Sequence, residues 1–484
     1  MTVRFIPVMI AAAVAVSCSS AGPKGLTASA PVPEAPERPV ELSPPTPAPQ
    51  PTPALPTHLL EEGAPLTLAD IVDIALRNNP TTRVAYFEAR SAAAELGRTR
   101  SAYYPRLDLS ADISRTQQSA LGGQFDFLQT SYGPTVDLSY LVLDLGGRAA
   151  DAEASRLALL SADWSHTAAV QDVVLGVQQT FVAYLNAKAQ LEAARANVTQ
   201  AKTAYNAATV RHDAGVATIA EVLQAKTALS QAQLGVDRLS GDVLALRGAL
   251  ATAMGLPAST PYDVGNLPDE LPLELAVKKV DEFIEQAREA RPDLVAARLE
   301  AGRSEAKIRS ARAEGLPKLS LGATASRIWF DPARYADYGD SWSARLMLDV
   351  PLFTGFATTY NTRKAREDAA AAAARADNLE QEVILQVWTS YYGLQTATQL
   401  VRTSRDLLAS AEQSERVAMG RYREGVGTIL DLLAAQAALA DARAQEILAR
   451  SQWFVALARL AHDTGVASPT LTAAVAVTEE KHTP

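Results

Sequence analysis

Four runs in this chain alternate apolar and polar residues, and long stretches of helical period separate them. In RLDLSADIS, Leu107, Leu109, Ala111 and Ile113 share one face while Asp108, Ser110, Asp112 and Ser114 share the other. Beyond an LGGQ loop, Val136, Leu138, Tyr140 and Val142 share a face. Leu319, Leu321, Ala323 and Ala325 then alternate with Lys318, Ser320, Gly322 and Thr324. Trp342, Ala344, Leu346, Leu348 and Val350 alternate with Ser341, Ser343, Arg345, Met347 and Asp349. The pattern predicts strands at about 105–116, 133–144, 316–330 and 341–353. Each is about ten to twelve residues, the length a tilted strand needs to cross a bilayer. One apolar face with aromatics near the strand ends fits a membrane barrel. Two amphipathic hairpins lying on a soluble core fit the alternation equally well, and both readings stay open.

The helical stretches come in three lengths. Helices of about two dozen residues are predicted at 81–104 and 293–315, very long ones at about 147–212 and 356–422, and partners of about 38 residues at 218–255 and 428–465. A helix of sixty-odd residues spans roughly 100 Å, too long for a compact domain, so it requires an extended assembly. The 24-residue and 38-residue helices together nearly match the long one in length, which predicts that they stack end to end beside it. Alanine-rich faces, AAAAAARA at 369–376 and LLAAQAALADARA at 432–444, suit close helix packing.

The whole arrangement occurs twice. Pro80 falls on Pro292 and Pro105 on Pro317, both 212 residues apart, and Gly255 meets Gly465 at 210. The repeats cover about 66–258 and 277–466, joined by a Pro-rich connector at 259–276. Inside each, one glycine motif interrupts the helices: RHDAGVATIAEVLQAK at 211–226 and RYREGVGTILDLLAAQ at 421–436. Gly215 and Gly425 suit the positive φ that ends a helix, and Thr218 and Thr428 suit the cap of the next. The motifs therefore read as hairpin tips at about 211–218 and 421–428.

Composition narrows the function classes. The net charge of −9 comes without a basic stripe, which argues against a nucleic-acid partner. No run of eighteen apolar residues is present, so a spanning helix is not expected. The one cysteine, Cys18, follows a short apolar run ending in AVSC, which resembles a lipobox; plain signal cleavage after Ala15 is the other reading. Residues 1–17 are then a signal peptide, 18–62 a Pro-rich disordered linker behind the lipidated cysteine, and 467–484 a disordered tail. Five scattered histidines at no metal spacing and no phosphate-binding glycine loop leave no candidate for catalysis, metal or cofactor.

RxxxGVxTI at Arg211–Ile219 and Arg421–Ile429, with VPLFTGF at 350–356, resembles TolC-like outer-membrane efflux proteins, particularly the acylated members serving resistance-nodulation-division pumps. The first repeat has YLVLDLGG, without the proline, at the matching junction. The resemblance implies a mainly helical chain with a small transmembrane β part. Its tandem-duplicated long hairpins would form an α-helical barrel, and four strands per chain would enter a twelve-stranded barrel of a homotrimer. It implies a passive exit duct of the outer membrane, lipid-anchored at Cys18 and reaching into the periplasm. Its partners would be a periplasmic adaptor and an inner-membrane transporter.

By the same resemblance, Arg211, Gly215, Val216, Thr218, Arg421, Gly425, Val426 and Thr428 form the tips that meet the adaptor. Asp431, Glu221 and Tyr422 would line the gate; Ala434 stands where some members have a second aspartate. A solvated helix-face role for the two carboxylates remains equally open. Drugs, dyes, solvents, metal ions or a secreted polypeptide all remain as cargo, and a lipid-anchored periplasmic coiled-coil scaffold without a pore is the reading from another class.

Overall fold

The computed structural model describes residues 65–120, 125–265, 279–331 and 337–466, together with 271 and 273. Cys18, the segments 1–17 and 18–62, the LGGQ loop, part of the connector and the tail 467–484 lie outside the described residues. The first repeat runs α1 (Leu68–Asn78), α2 (Pro80–Arg100), β1 (Arg106–Ala120), β2 (Phe125–Leu143), α3 (Gly147–Asp213) and α4 (Ile219–Ala253). The second runs α5 (Val280–Ala290), α6 (Pro292–Ala313), β3 (Lys318–Asp331), β4 (Tyr338–Asp349), α7 (Ala357–Arg423) and α8 (Ile429–Asp463).

Local chemistry sets the breaks. Thr67 and Asp70 cap α1 reciprocally, with Thr67 N donating to the Asp70 carboxylate at 2.9 Å and Asp70 N to the Thr67 hydroxyl at 3.3 Å. Pro80 and Pro292 open α2 and α6, where a missing N–H costs nothing. In the first repeat the Asn79 side chain accepts from Thr81 N at 2.8 Å. In the second, buried Arg291 grips the Asp293 carboxylate with two bonds of 2.9 and 2.7 Å and reaches Gln386 on α7.

Both long helices have 67 residues, and both partners have 35. The shorter helices do stack end to end. A Cβ on Gly255 would lie 2.7 Å from the Asn78 backbone, and the Asn79 side-chain amide donates to Ala253 O at 3.2 Å, so the end of α4 abuts the start of α2. Gly465 meets Ala290 and Arg291 in the same way. Helix α3 lies in the middle of the wall: it packs on α2 and α4 of its own repeat and on α6 and α8 of the other, while α7 packs on α5, α6 and α8. Apolar clusters thicken the wall near the stacking level, one around Ile71, Ile74, Val177 and Leu250, another around Trp453, Tyr391 and Val401.

The strands form one antiparallel sheet in the order β1-β2-β3-β4. Strand β2 begins at Phe125, well before the alternation in the sequence suggests, because Gly133 and Pro134 lie inside it. Pro134 has no N–H to give, and the β2–β3 ladder skips both residues between Tyr132↔Trp329 and Thr135↔Ser326. A Cβ on Gly133 would fall 1.9 Å from Arg327 O, so only glycine fits.

Polar contacts recur along the seam between repeats, beside apolar packing of Tyr422 and Ile429 on Ala204 and Ala208. Ser161 Oγ donates to Ala296 O at 3.0 Å, Gln171 Nε2 to Gly465 O at 3.2 Å, and Arg443 to Asn197 and Gln200 at 3.0 and 3.2 Å. His462 lies between two carboxylates, its Nε2 2.8 Å from Asp172 on α3 and its Nδ1 3.1 Å from Asp463. Carboxylates only accept, so both ring nitrogens must carry protons. Burial alone would lower the His462 pKa, but the bonds to Asp172 and Asp463 outweigh it and hold the ring up to about 9. Arg459, 3.8 Å from Asp463, and Asp293 complete the charges around it.

Two outcomes follow from this packing. A folded pKa raised above 6.5 stabilises fully below that value and fades as pH rises through about 9. His462→Gln should therefore lower stability near pH 7 by about 2 kcal/mol, after discounting for the exposed Asp172. The gap from wild type in thermal midpoint should close above that pH. Gly255→Ala and Gly465→Ala should each cost about 1 kcal/mol or more, since both glycines have positive φ and touch a neighbouring backbone. Gly176→Ala, on open helix, should be neutral or stabilising in the same melts.

Candidate functional site

Two regions of the wall have the chemistry of a site: the sheet at one end and the glycine tips at the other. On the sheet the register brings the apolar positions together as Leu107↔Leu138, Leu109↔Val136, Ala323↔Ala344 and Leu321↔Leu346. This face covers no protein core. Leu109 is 73%, Ile113 75% and Trp342 83% exposed, which removes the reading of hairpins packed on a soluble core. The other face is knit by short polar bonds: Ser114 to Ser131 at 2.8 Å, Ser326 to Ser341 at 2.7 Å, and Thr324 to Asp137 at 2.8 Å. At the end far from the helices, Tyr132 stacks on Trp329 at 6.0 Å, and Arg327 pairs with Asp340 at 2.6 and 2.8 Å beside Tyr338. Aromatics and paired charges bounding an apolar band match a water–lipid boundary.

At the junction, repeat 1 is clamped by Arg148, which donates to Ala102 O and Val142 O at 3.2 Å each and lies 3.4 Å from Asp144. Repeat 2 has hydroxyls there, Thr354 and Thr358 at 3.2 Å, and leaves Leu352, Phe353 and Phe356 exposed.

At the tips the sequence motifs fold as duplicates. Gly215 N bonds His212 O and Val216 N bonds Arg211 O at 2.8 and 2.9 Å; Gly425 N bonds Tyr422 O and Val426 N bonds Arg421 O at 3.2 and 3.0 Å. Both glycines have φ near +77°, the left-handed end that closes a helix. Thr428 and Asp431 then cap α8 reciprocally, Thr428 N to Asp431 at 3.2 Å and Asp431 N to the Thr428 hydroxyl at 3.1 Å. At the other tip Thr218 N donates to the Glu221 carboxylate at 3.4 Å. Hydrogen bonds from Thr428 hold the Asp431 carboxyl below its usual range.

One residue ties the tips together. Arg211 donates to Tyr422 O at 2.9 Å, stacks over the Tyr422 ring at 4.9 Å and passes close to Gly425. Tyr422 is fully buried with Ala204, Ala208 and Ile429; its burial, and then the charge of Glu221, raise the phenol's pKa. Val216 and Val426 stand exposed at the apices, and Arg421 is exposed beside them. The structure thus gathers Arg211, Tyr422, Gly425 and Glu221 around one point, whereas Asp431 is hydrogen-bonded to Thr428 and feels the charge of Arg421. His212 closes its own turn, its Nδ1 3.1 Å from Ala217 O. The buried alanines and Ile429 were missed as tip residues, and only their small size at helical spacing signals them. Among the described residues no helix is long and apolar enough to cross a membrane, and no His, Cys, Asp and Glu cluster could hold a metal.

A family model described as outer membrane efflux protein matches residues 71–256 and 283–466. Protein CyaE of Bordetella pertussis is 27% identical over 388 residues, covering 80% of this chain and 81% of that protein. The solvent efflux pump outer membrane protein SrpC of Pseudomonas putida is 27% identical over 387 residues, covering 76% and 78%. A crystal structure of a membrane protein from Pseudomonas aeruginosa superimposes with TM-score 0.74 at 25% identity, covering 82% of this chain and 93% of that one. With both repeats matched, an apolar sheet face and a duplicated helical wall, the chain belongs to the outer membrane efflux protein family and is an exit channel of the outer membrane.

Proposed function

We propose that three copies of the chain close one twelve-stranded barrel and one helical tunnel, through which small solutes leave passively. The observation that carries this reading is the sheet: four strands, an apolar outward face and open edges at β1 and β4. Unpaired backbone groups in lipid cost several kcal/mol each, so the edges must pair with further strands. Three chains supply twelve strands, a number that leaves room for a channel. Cargo arrives from an inner-membrane transporter of the resistance-nodulation-division type through a periplasmic adaptor, which docks on the tips around Val216 and Val426. Cys18 is acylated and anchors the chain to the outer membrane. The relative named for solvent efflux supports drugs and other small organic solutes over secreted polypeptide or metal ions.

In this reading Arg211 is the latch. Its hold on Tyr422 O joins the two hairpins of one chain, and Glu221 and Asp431 around the axis give the closed tip a negative ring that favours cations.

The test of the reading is deletion of the gene with a susceptibility panel, complemented by the wild-type chain; unchanged susceptibility to every solvent and drug would count against it. Unheated outer-membrane extracts should migrate on denaturing gels at the mass of three chains and collapse to one on boiling. A soluble monomer would exclude the channel. In planar bilayers Arg211→Ala should raise single-channel conductance severalfold at the same voltage, since the tips lose their tie. Asp431→Asn should weaken block by a trivalent cation; unchanged block would remove Asp431 from the ring.

A further inference from the structure

Where α3, α7 and α8 run side by side they leave a groove of about 420 Å³, within the span of ordinary small-molecule sites. We infer that this groove binds amphipathic organic anions on their way through the tunnel, with the apolar body along the helices and the acidic head on Arg459. The inference rests on the exit-duct reading above and adds a site to it. On α8 the groove is lined by Leu448, Gln452, Val455 and Arg459, three or four residues apart and so on one helix face. Gln179, Ala183 and Asn186 make the facing stripe on α3. Gly393 of α7 opens the third side, where a Cβ would meet nothing within 4 Å.

Helix periodicity gives the face. On α3 the cluster shared with α1 uses Val177, Phe181 and Leu185, about half a turn from Gln179, Ala183 and Asn186. On α8 buried Trp453 turns to the cluster that includes Val280 and Phe283 of α5, away from Val455 and Leu448. Helices α1 and α5 thus form a second layer on the face opposite the groove. Twelve wall helices about 9 Å apart close a ring about 35 Å across. Six further helices about 10 Å wide inside that ring would fill its bore. The second layer is therefore outside, and the groove lines the tunnel.

The polar groups left over on the lining suit an anion. Its hydroxyls are already spent: Ser451 donates to Asn186 Oδ1 at 3.2 Å, Thr389 to Leu385 O at 2.8 Å and Ser390 to Val387 O at 3.2 Å. Asn186 Nδ2 and the side-chain amides of Gln179 and Gln452 make no hydrogen bond among the described residues. Arg459 is the one charged residue on the lining, and no carboxylate accompanies it there. Its Nε lies 3.8 Å from Asp463, beyond hydrogen-bond reach, and 59% of its side chain is exposed. A guanidinium fork at the end of an apolar groove matches a carboxylate or sulfonate head. Repetition does not explain the feature. The positions 210 residues back on α4 hold Arg238, Asp242, Ala245 and Ala249, with charges where the groove has Leu448 and Gln452 and no cation in place of Arg459.

Calorimetric titration of the full chain in phosphatidylcholine nanodiscs tests the groove, with empty discs as the blank. The probes are naphthalene-2-sulfonate and its neutral twin, naphthalene-2-sulfonamide. The anion should bind saturably, one per chain, and more tightly than the amide by about tenfold or more, the worth of one hydrogen bond to a charged group. Gly393→Leu, which fills the groove from an open position, should abolish saturable binding. Arg459→Gln should remove the preference for the anion, and Arg459→Lys should restore most of it. If a substitution lowers the thermal midpoint, the comparison of the two probes on the unaltered chain still decides. Equal affinity for both probes, binding that survives Gly393→Leu, or no saturable binding at all overturns the proposal. A chain that restores efflux to a deletion strain yet binds neither probe loses the groove and keeps the duct. A chain that binds with the expected preference yet restores nothing keeps the groove and loses the duct.

Discussion

The constraint on which the rest of the structure depends is the hydrogen-bonding demand of backbone in lipid. Four strands with an apolar outer face cannot remain a strip, because each edge residue would leave an N–H or C=O unpaired. The inner strands satisfy one another, with β2 against β3 interrupted at Gly133 and Pro134 and shifted in register at Val142. The outer strands β1 and β4 each keep one edge without a partner in the four-stranded sheet, and in the assembly proposed above those edges pair with other chains. Everything below the sheet inherits that requirement: once strands close into a ring, the helices that continue them also form a ring, and each wall segment needs two neighbours.

The helical wall solves a second problem, that of building a tall partition without a globular core. Each 67-residue helix is matched by two shorter ones stacked end to end. The joint is a glycine-ended helix set against a proline-started one, Gly255 on Asn78 and Asn79, Gly465 on Ala290 and Arg291. Glycine supplies both the left-handed turn and the room for the next backbone. The long helix runs unbroken past each joint and splints it. The clusters around Ile71 and Trp453 concentrate apolar burial near the joints, while small alanines let the thin parts approach closely.

Much of this is legible in the sequence because it repeats. The 210- and 212-residue offsets fix the element order, and helix lengths alone anticipate the stacking. The tips are legible from Gly215, Gly425, Thr218 and Thr428, whose backbone demands are local. What escapes is of longer range or of double meaning. The early start of β2 is hidden because Gly133 and Pro134 break the alternation at the point where the expected strand begins, and only the approach of Arg327 shows why glycine is there. The His462 clasp joins residues 290 apart, with no counterpart in the other repeat to mark it. Asp431 and Glu221 fit a gate and a solvated helix face equally well in sequence, and their role in capping, each accepting from its cap residue's N–H, shows only in the structure. Arg211 reads as one half of a repeated motif, whereas its bond to Tyr422 is a tertiary event between hairpins.

The most direct measurement of the central claim is amide hydrogen exchange of the purified channel, resolved by strand. Closure by further copies predicts that the amides of β1 and β4 exchange as slowly as those of β2 and β3, since all four strands would then have partners on both sides. Slow exchange in β2 and β3 with loop-like exchange in β1 and β4 would contradict it, because the edges would then be open.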